Sequence, residues 1–192
     1  MLAGVFVWNP SVATAVPITI NPTSDGSLYT CDTCNVVSDG HYVLASGYIQ
    51  GAVKFSSASI SGTVTQALLA LNPYAMPLHG PSVDIYGYGT TIGPLDVSDA
   101  NAGTFIGTLI LPPDLNFGQD AFFDVTAFVE DTNAPFLSFN LRTTGTDVFS
   151  SLEYNYGHPS QLIVTLATPE PSTLLLLGIG TLGLGLRRRR NK

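Results

Sequence analysis

The sequence predicts an all-β protein, an antiparallel jelly-roll-like β-sandwich followed by a C-terminal transmembrane helix. Three observations lead there. Between residues 16 and 167, Gly, Pro, Asn, Asp, Ser and Thr recur every few residues and separate short β-branched or aromatic runs. Several of those runs alternate apolar with polar residues, as a strand with one buried face does. Near the end, an uncharged Leu/Gly stretch runs straight into four arginines.

The elements follow in chain order. Met1 to Ala15 reads as a signal peptide, because Ala13-Thr14-Ala15 is the small-x-small triplet that precedes a signal-peptidase cut. No Lys or Arg precedes its apolar run and Asn9-Pro10 interrupts it, a gap that a start codon set too far downstream would explain. Residues 16–167 form the sandwich. Its strands are expected at Tyr42 to Ile49, Gly51 to Phe55, Val64 to Leu71, Val83 to Tyr88, Thr104 to Leu111, Ala121 to Val129, Phe136 to Leu141 and Gln161 to Leu166. In the seventh, Leu137, Phe139 and Leu141 face inward while Ser138, Asn140 and Arg142 face out; in the last, Leu162, Val164 and Leu166 share a face. Residues 168–192 form the tail. Ser172 to Leu186 is fifteen uncharged residues, roughly 22 Å as a helix and short against a bilayer core of about 30 Å. Arg187, Arg188, Arg189 and Arg190 then read as a cytoplasmic stop that leaves the preceding domain outside.

Charge narrows the partners. The chain of 192 residues has a formal charge of −7, but Arg187 to Arg190 and Lys192 supply five of its seven basic groups. Before Leu186 only Lys54 and Arg142 stand against fourteen acidic groups, a formal −12. A body this acidic repels phosphate backbones, so nucleic acid is not an expected partner.

Catalytic and metal motifs are scarce. No serine sits in a Gly-x-Ser-x-Gly elbow, and there is no His-Glu-x-x-His run and no glycine-rich phosphate loop. Cys31-Asp32-Thr33-Cys34 fits a redox pair, half a metal site or a local disulfide. Zinc needs further ligands than one such pair, and in an exported chain a structural Cys31–Cys34 disulfide in a loop is favoured. Calcium held between sandwich loops by Asp side chains is an open expectation without named ligands, since no Asp-x-Asp-x-Asp-Gly loop occurs.

Pro169-Glu170-Pro171, the Leu/Gly-rich span and the arginine cluster stand in the order of the PEP-CTERM sorting signal, which this end of the chain resembles. The resemblance implies recognition by an exosortase, a membrane protease-transpeptidase of Gram-negative bacteria that usually also make exopolysaccharide. The tail is then a processing address: transient anchoring in the inner membrane, cleavage, and delivery to the cell surface or extracellular matrix. The body also resembles the DNRLRE family of β-sandwich domains. Phe123-Asp124-Val125-Thr126-Ala127-Phe128-Val129, the strand Phe136 to Arg142, Phe149-Ser150-Ser151-Leu152-Glu153 and Pro159 to Thr165 carry that likeness, over about Gly51 to Leu166. It implies a secreted or surface domain with a galactose-binding-like sandwich.

Four aromatic residues are candidate ligand contacts. Tyr86 and Tyr88 share one side of a strand, and Tyr154 and Tyr156 share one side of a loop or edge, where flat rings can stack on sugar C–H faces. Asp124 and Thr126 are expected to form a local turn or cap, and Glu153 to pair with Arg142. These readings lead to a noncatalytic exported surface or matrix protein that binds polysaccharide. A purely structural or adhesive protein without glycan affinity, and a polysaccharide-modifying enzyme, are the alternatives.

Overall fold

Two antiparallel sheets stack face to face. The small one has the order β1 (Pro17–Ile20), β12 (Gln161–Leu166), β6 (Val64–Leu71), β9 (Ala121–Asp124). The large one runs β11 (Thr146–Ser150), β4 (Tyr42–Ser46), β5 (Ile49–Ser56), β10 (Phe136–Arg142), β7 (Ser82–Thr90), β8 (Thr104–Ile110). To it are added β2 (Ser24–Cys31), lying along β5, and β3 (Cys34–Ser38), paired to β2. The computed structural model describes residues 15–31, 34–38, 42–73, 82–112, 115, 118–143, 145–152 and 158–167. The leader before Ala15, Glu153, Tyr154, Tyr156 and the tail from Thr168, including the expected membrane helix, lie outside them. Within the described residues no helix is long and apolar enough to cross a membrane.

The all-β sandwich follows from the alternation. The core between the sheets takes Ala67, Leu69, Leu71, Leu162 and Val164 from the small sheet, and Val53, Phe55, Val83, Ile85, Leu137, Phe139 and Leu141 from the large one. Each such fully buried Val, Leu, Ile or Phe contributes about 1.5–3 kcal/mol. Phe139 sits at the centre, edge-on to Phe55 at 6.0 Å and to Phe128 at 5.2 Å between ring centroids. Leu137, Phe139 and Leu141 do face inward, and Leu166 packs at the core's rim beside Leu162 and Val164. Pro17 fits because β1 pairs only with β12, at the edge of its sheet, where a missing N–H is tolerated.

β1, β3 and β11 lie outside the expected strands, and the strand plan differs from the sequence reading in three further places. Tyr42 to Ile49 is broken by a turn at Gly47-Tyr48, and β5 begins at Ile49. Ala121 to Val129 splits into β9 and a short helix α1 (Thr126–Asp131). The cause is local: the Asp124 Oδ1 accepts from the Thr126 N–H at 2.9 Å and from its hydroxyl at 2.6 Å, which turns the chain out of the strand. Third, β2 carries Ser24, Asp25, Gly26 and Ser27, a turn-like composition, yet it is a strand with Asp25 and Ser27 buried. Ser27 Oγ accepts the Leu44 N–H at 2.9 Å and Asp25 Oδ2 accepts the Leu152 N–H at 3.0 Å, so these polar side chains fasten neighbouring segments. β4 joins β5 only at Ser46–Ile49, on the edge opposite β2, because from Gly51 onward that edge of β5 is taken by β10. The β4–β11 ribbon instead reaches the end of β6, where Phe149 bridges Pro73 and the Ser150 N–H donates to Asn72 O at 2.8 Å.

Candidate functional site

The outward face of the large sheet is where sequence and structure part most. Residues 91–103 leave β7, pass a 3₁₀ turn at Val97–Asp99, and lie as a strap over that face before β8 begins. Lys54, in the middle of β5, is fully buried beneath the strap. Its ammonium donates to Ile92 O at 3.2 Å and Pro94 O at 3.0 Å, and pairs with Asp99 Oδ2 at 2.8 Å. An ammonium has three N–H groups, and here each has an acceptor.

Asp99 is the hub of the strap. Its Oδ2 also accepts the Asp96 N–H at 2.8 Å, and its Oδ1 accepts the Tyr88 hydroxyl at 2.8 Å. Burial, with the Asp99 carboxylate beside it, drives the Tyr88 hydroxyl far above its ordinary value and keeps it neutral and donating. From β10, the Asn140 amide donates to Asp99 O at 2.7 Å and Ala102 O at 3.1 Å. Arg142 donates to Ala102 O at 3.2 Å while its guanidinium lies 3.7 Å over the Tyr86 ring. Gln50 exchanges two hydrogen bonds with Asn101, whose left-handed backbone (φ 61°) turns the strap back toward the sheet. The hydroxyl and N–H of Ser98 hold the carboxyl of the half-buried Asp96 below the usual range.

The predicted site residues fall unevenly on this plan. Tyr86 and Tyr88 share the outward side of β7, but each is engaged within the protein: Tyr86 between Arg142 and Phe105 (5.5 Å, edge-on), Tyr88 through its hydroxyl. Tyr154 and Tyr156 lie outside the described residues. The strand register makes Cys31, the last residue of β2, and Cys34, the first of β3, direct partners. Arg142 faces Tyr86 and the strap, and Glu153 is not among the described residues. Asp124 and Thr126 form the expected local turn, and Thr126 holds the Asp124 carboxyl below its ordinary value. Among the described residues no three His, Cys, Asp or Glu side chains gather as a metal-holding group, so the calcium expectation finds no ligand set there.

Sequence reasoning missed Lys54–Asp99 and the strap altogether. The signal was present: a lone lysine between Val53 and Phe55 in an otherwise uncharged strand. His158, which belongs to no motif, has its Nε2 3.4 Å from Asp120 Oδ2 and its Nδ1 2.9 Å from Pro159 O.

Comparison with known proteins identifies the tail. Residues 167–190 match the family described as the PEP-CTERM protein-sorting motif. That motif covers the Pro-Glu-Pro element, the apolar span and the arginines. No curated protein matches the chain. The resemblance of Gly51 to Leu166 to DNRLRE domains gains no support from these comparisons. An all-β sandwich carrying this motif is an exported protein, sorted by an exosortase through a membrane-anchored signal that leads to the cell surface.

Proposed function

We propose that the protein is a noncatalytic surface or extracellular-matrix protein whose sandwich contacts polysaccharide after the tail has been cleaved near Pro169-Glu170-Pro171. The observation that supports this reading is how the polar side chains are used. Lys54, Asp99, Asn140, Tyr88 and Arg142 all fasten the strap, and Asp96 and Asp124 are bound by the neighbouring Ser98 and Thr126. General acid–base work needs a carboxyl or imidazole aimed at open space with a shifted affinity for protons. These groups are engaged within the protein, by other side chains and by backbone. Large apolar side chains, by contrast, remain on the surface: Tyr48, Phe105 and Phe122 are each at least half exposed.

Glycan-array binding by protein released from an exosortase-bearing host tests the proposal. Binding to polysaccharide supports it. No binding to any glycan leaves a structural or adhesive protein. Turnover of exopolysaccharide that one Asp or Glu substitution abolishes makes the protein an enzyme and overturns the reading.

A disulfide between Cys31 and Cys34 belongs to the same proposal. Directly paired antiparallel positions have Cα atoms about 4.5–5.5 Å apart, a span an S–S bond can bridge. Thiol labelling of the non-reduced exported protein should find neither cysteine reactive, and full labelling of both would rule the bond out.

A further inference from the structure

An open groove of about 710 Å³ lies between the start of β8, the end of β7 and α1, lined by Tyr88, Thr104, Phe105, Phe128, Asp131 and Thr132 among others. Strand ends create it. β8 pairs with β7 only as far as Gly87–Thr104, so Tyr88, Gly89 and Thr90 have β10 on one side and no β8 partner on the other. Two glycines let the walls close in. Gly103 has φ 96°, and a Cβ there would come 3.0 Å from Gly87 O; at Gly87 a Cβ would stand 2.8 Å from the Phe128 ring.

The groove's chemistry is one-sided. Phe105, 56% exposed, offers a flat apolar surface beside the half-buried Phe128. Asp131 is the last residue of α1, and no basic residue stands in that last turn. Helix carbonyls already concentrate negative partial charge at a C-terminus, so an acid there costs about 0.3–1 kcal/mol. A local rule broken on an exposed surface points to a role other than stability. Among the described residues no Lys or Arg offsets it. Lys54 and Arg142, the sole Lys and Arg before Arg187 in the sequence, are both committed to the strap.

We propose that this groove binds a neutral polysaccharide and rejects chains bearing uronate or sulfate. A sugar ring lays its C–H face on Phe105, and its hydroxyls donate to the Asp131 carboxylate. The inference rests on the polysaccharide reading above and adds to it a place and a charge class.

Affinity electrophoresis of the released protein, through gels containing neutral glucans, galactans and mannans or the polyuronate alginate, tests it. The expected result is retardation by a neutral polymer and none by alginate. Phe105→Ala and Asp131→Asn should each weaken the apparent affinity about fivefold, with a melting temperature not lowered by Asp131→Asn and little changed by Phe105→Ala. Retardation by alginate alone would overturn the charge class while leaving the polysaccharide reading standing. Neutral-polymer binding that both variants retain in full would overturn the groove. No retardation by any polymer would remove the polysaccharide reading, and the groove with it.

Discussion

On the inner face of the large sheet, Val53, Phe55, Ile85, Phe139 and Leu141 meet the small sheet through apolar burial. On the outer face of the same strands, Lys54, Tyr88, Asn140 and Arg142 meet the 91–103 strap through directed bonds. The difference lies in what each face tolerates. Apolar packing degrades with the volume removed, whereas a buried ion pair fails as a unit when one partner is lost, because the other is left charged and dry. The outer face therefore contributes less to net stability than its bond count suggests, and depends more sharply on each residue.

That contrast can be broken by substitution. Phe139→Ala removes a ring that touches Phe55 and Phe128 and should cost about 3–5 kcal/mol in urea unfolding, the largest single effect. Lys54→Met leaves Asp99 without its cation and should cost about 3 kcal/mol. Its distinguishing test is the double variant Lys54→Met/Asp99→Leu, which should regain at least about 1 kcal/mol over Lys54→Met alone. If the double variant is no more stable than the single one, the strap does not depend on charge balance, and the two faces obey the same rule.

The smaller effects lie at the surface. Asp124→Ala removes the turn that precedes α1 and should cost about 0.5 kcal/mol, the low end for a hydrogen-bonding side chain because the carboxyl is exposed. Its native proton affinity lies below the ordinary value of 3.8. The stability it adds is therefore present above that value and is lost as pH falls through the lower native one. Melts taken from about pH 5 down to about pH 2 should show a shallower acid limb for Asp124→Asn than for the wild type. An identical limb would mean that the Thr126 contacts do not persist in solution. Phe105→Ala, at the groove, should change stability by no more than about 0.5 kcal/mol.

How much of this was legible beforehand depends on what kind of burial each residue undergoes. The ranges of β6 and β12 could be read directly, since Val64–Leu71 and Gln161–Leu166 carry β-branched and leucine-rich runs between turn residues. The alternation in β10 correctly separated Leu137, Phe139 and Leu141 from Ser138, Asn140 and Arg142. It was silent on whether the second set meets water or protein, because period-two patterning reports which side a residue is on and not what covers it. β2 was missed for a related reason: Asp25 and Ser27 imitate a turn, but their partners, Leu152 and Leu44, are distant in sequence. The groove depends on where β8 stops pairing with β7, a tertiary boundary that residues 104–110 alone do not mark. The sorting motif of the tail was legible, because its signal is linear and needs no folded context.

The sorting tail and the sandwich make different demands on the chain, and the tail carries the functional claim. On the proposed reading, Pro171, which lacks an N–H and disfavours helix at Glu170, leaves this backbone open to a protease, and the arginines orient the far end toward the cytoplasm. The intact mass of the surface-released protein from an exosortase-bearing host tests that claim most directly. The account predicts a chain that ends near Pro169-Glu170-Pro171 and lacks Arg187 to Lys192. A released protein whose mass still includes those residues would contradict it and make the tail a permanent anchor.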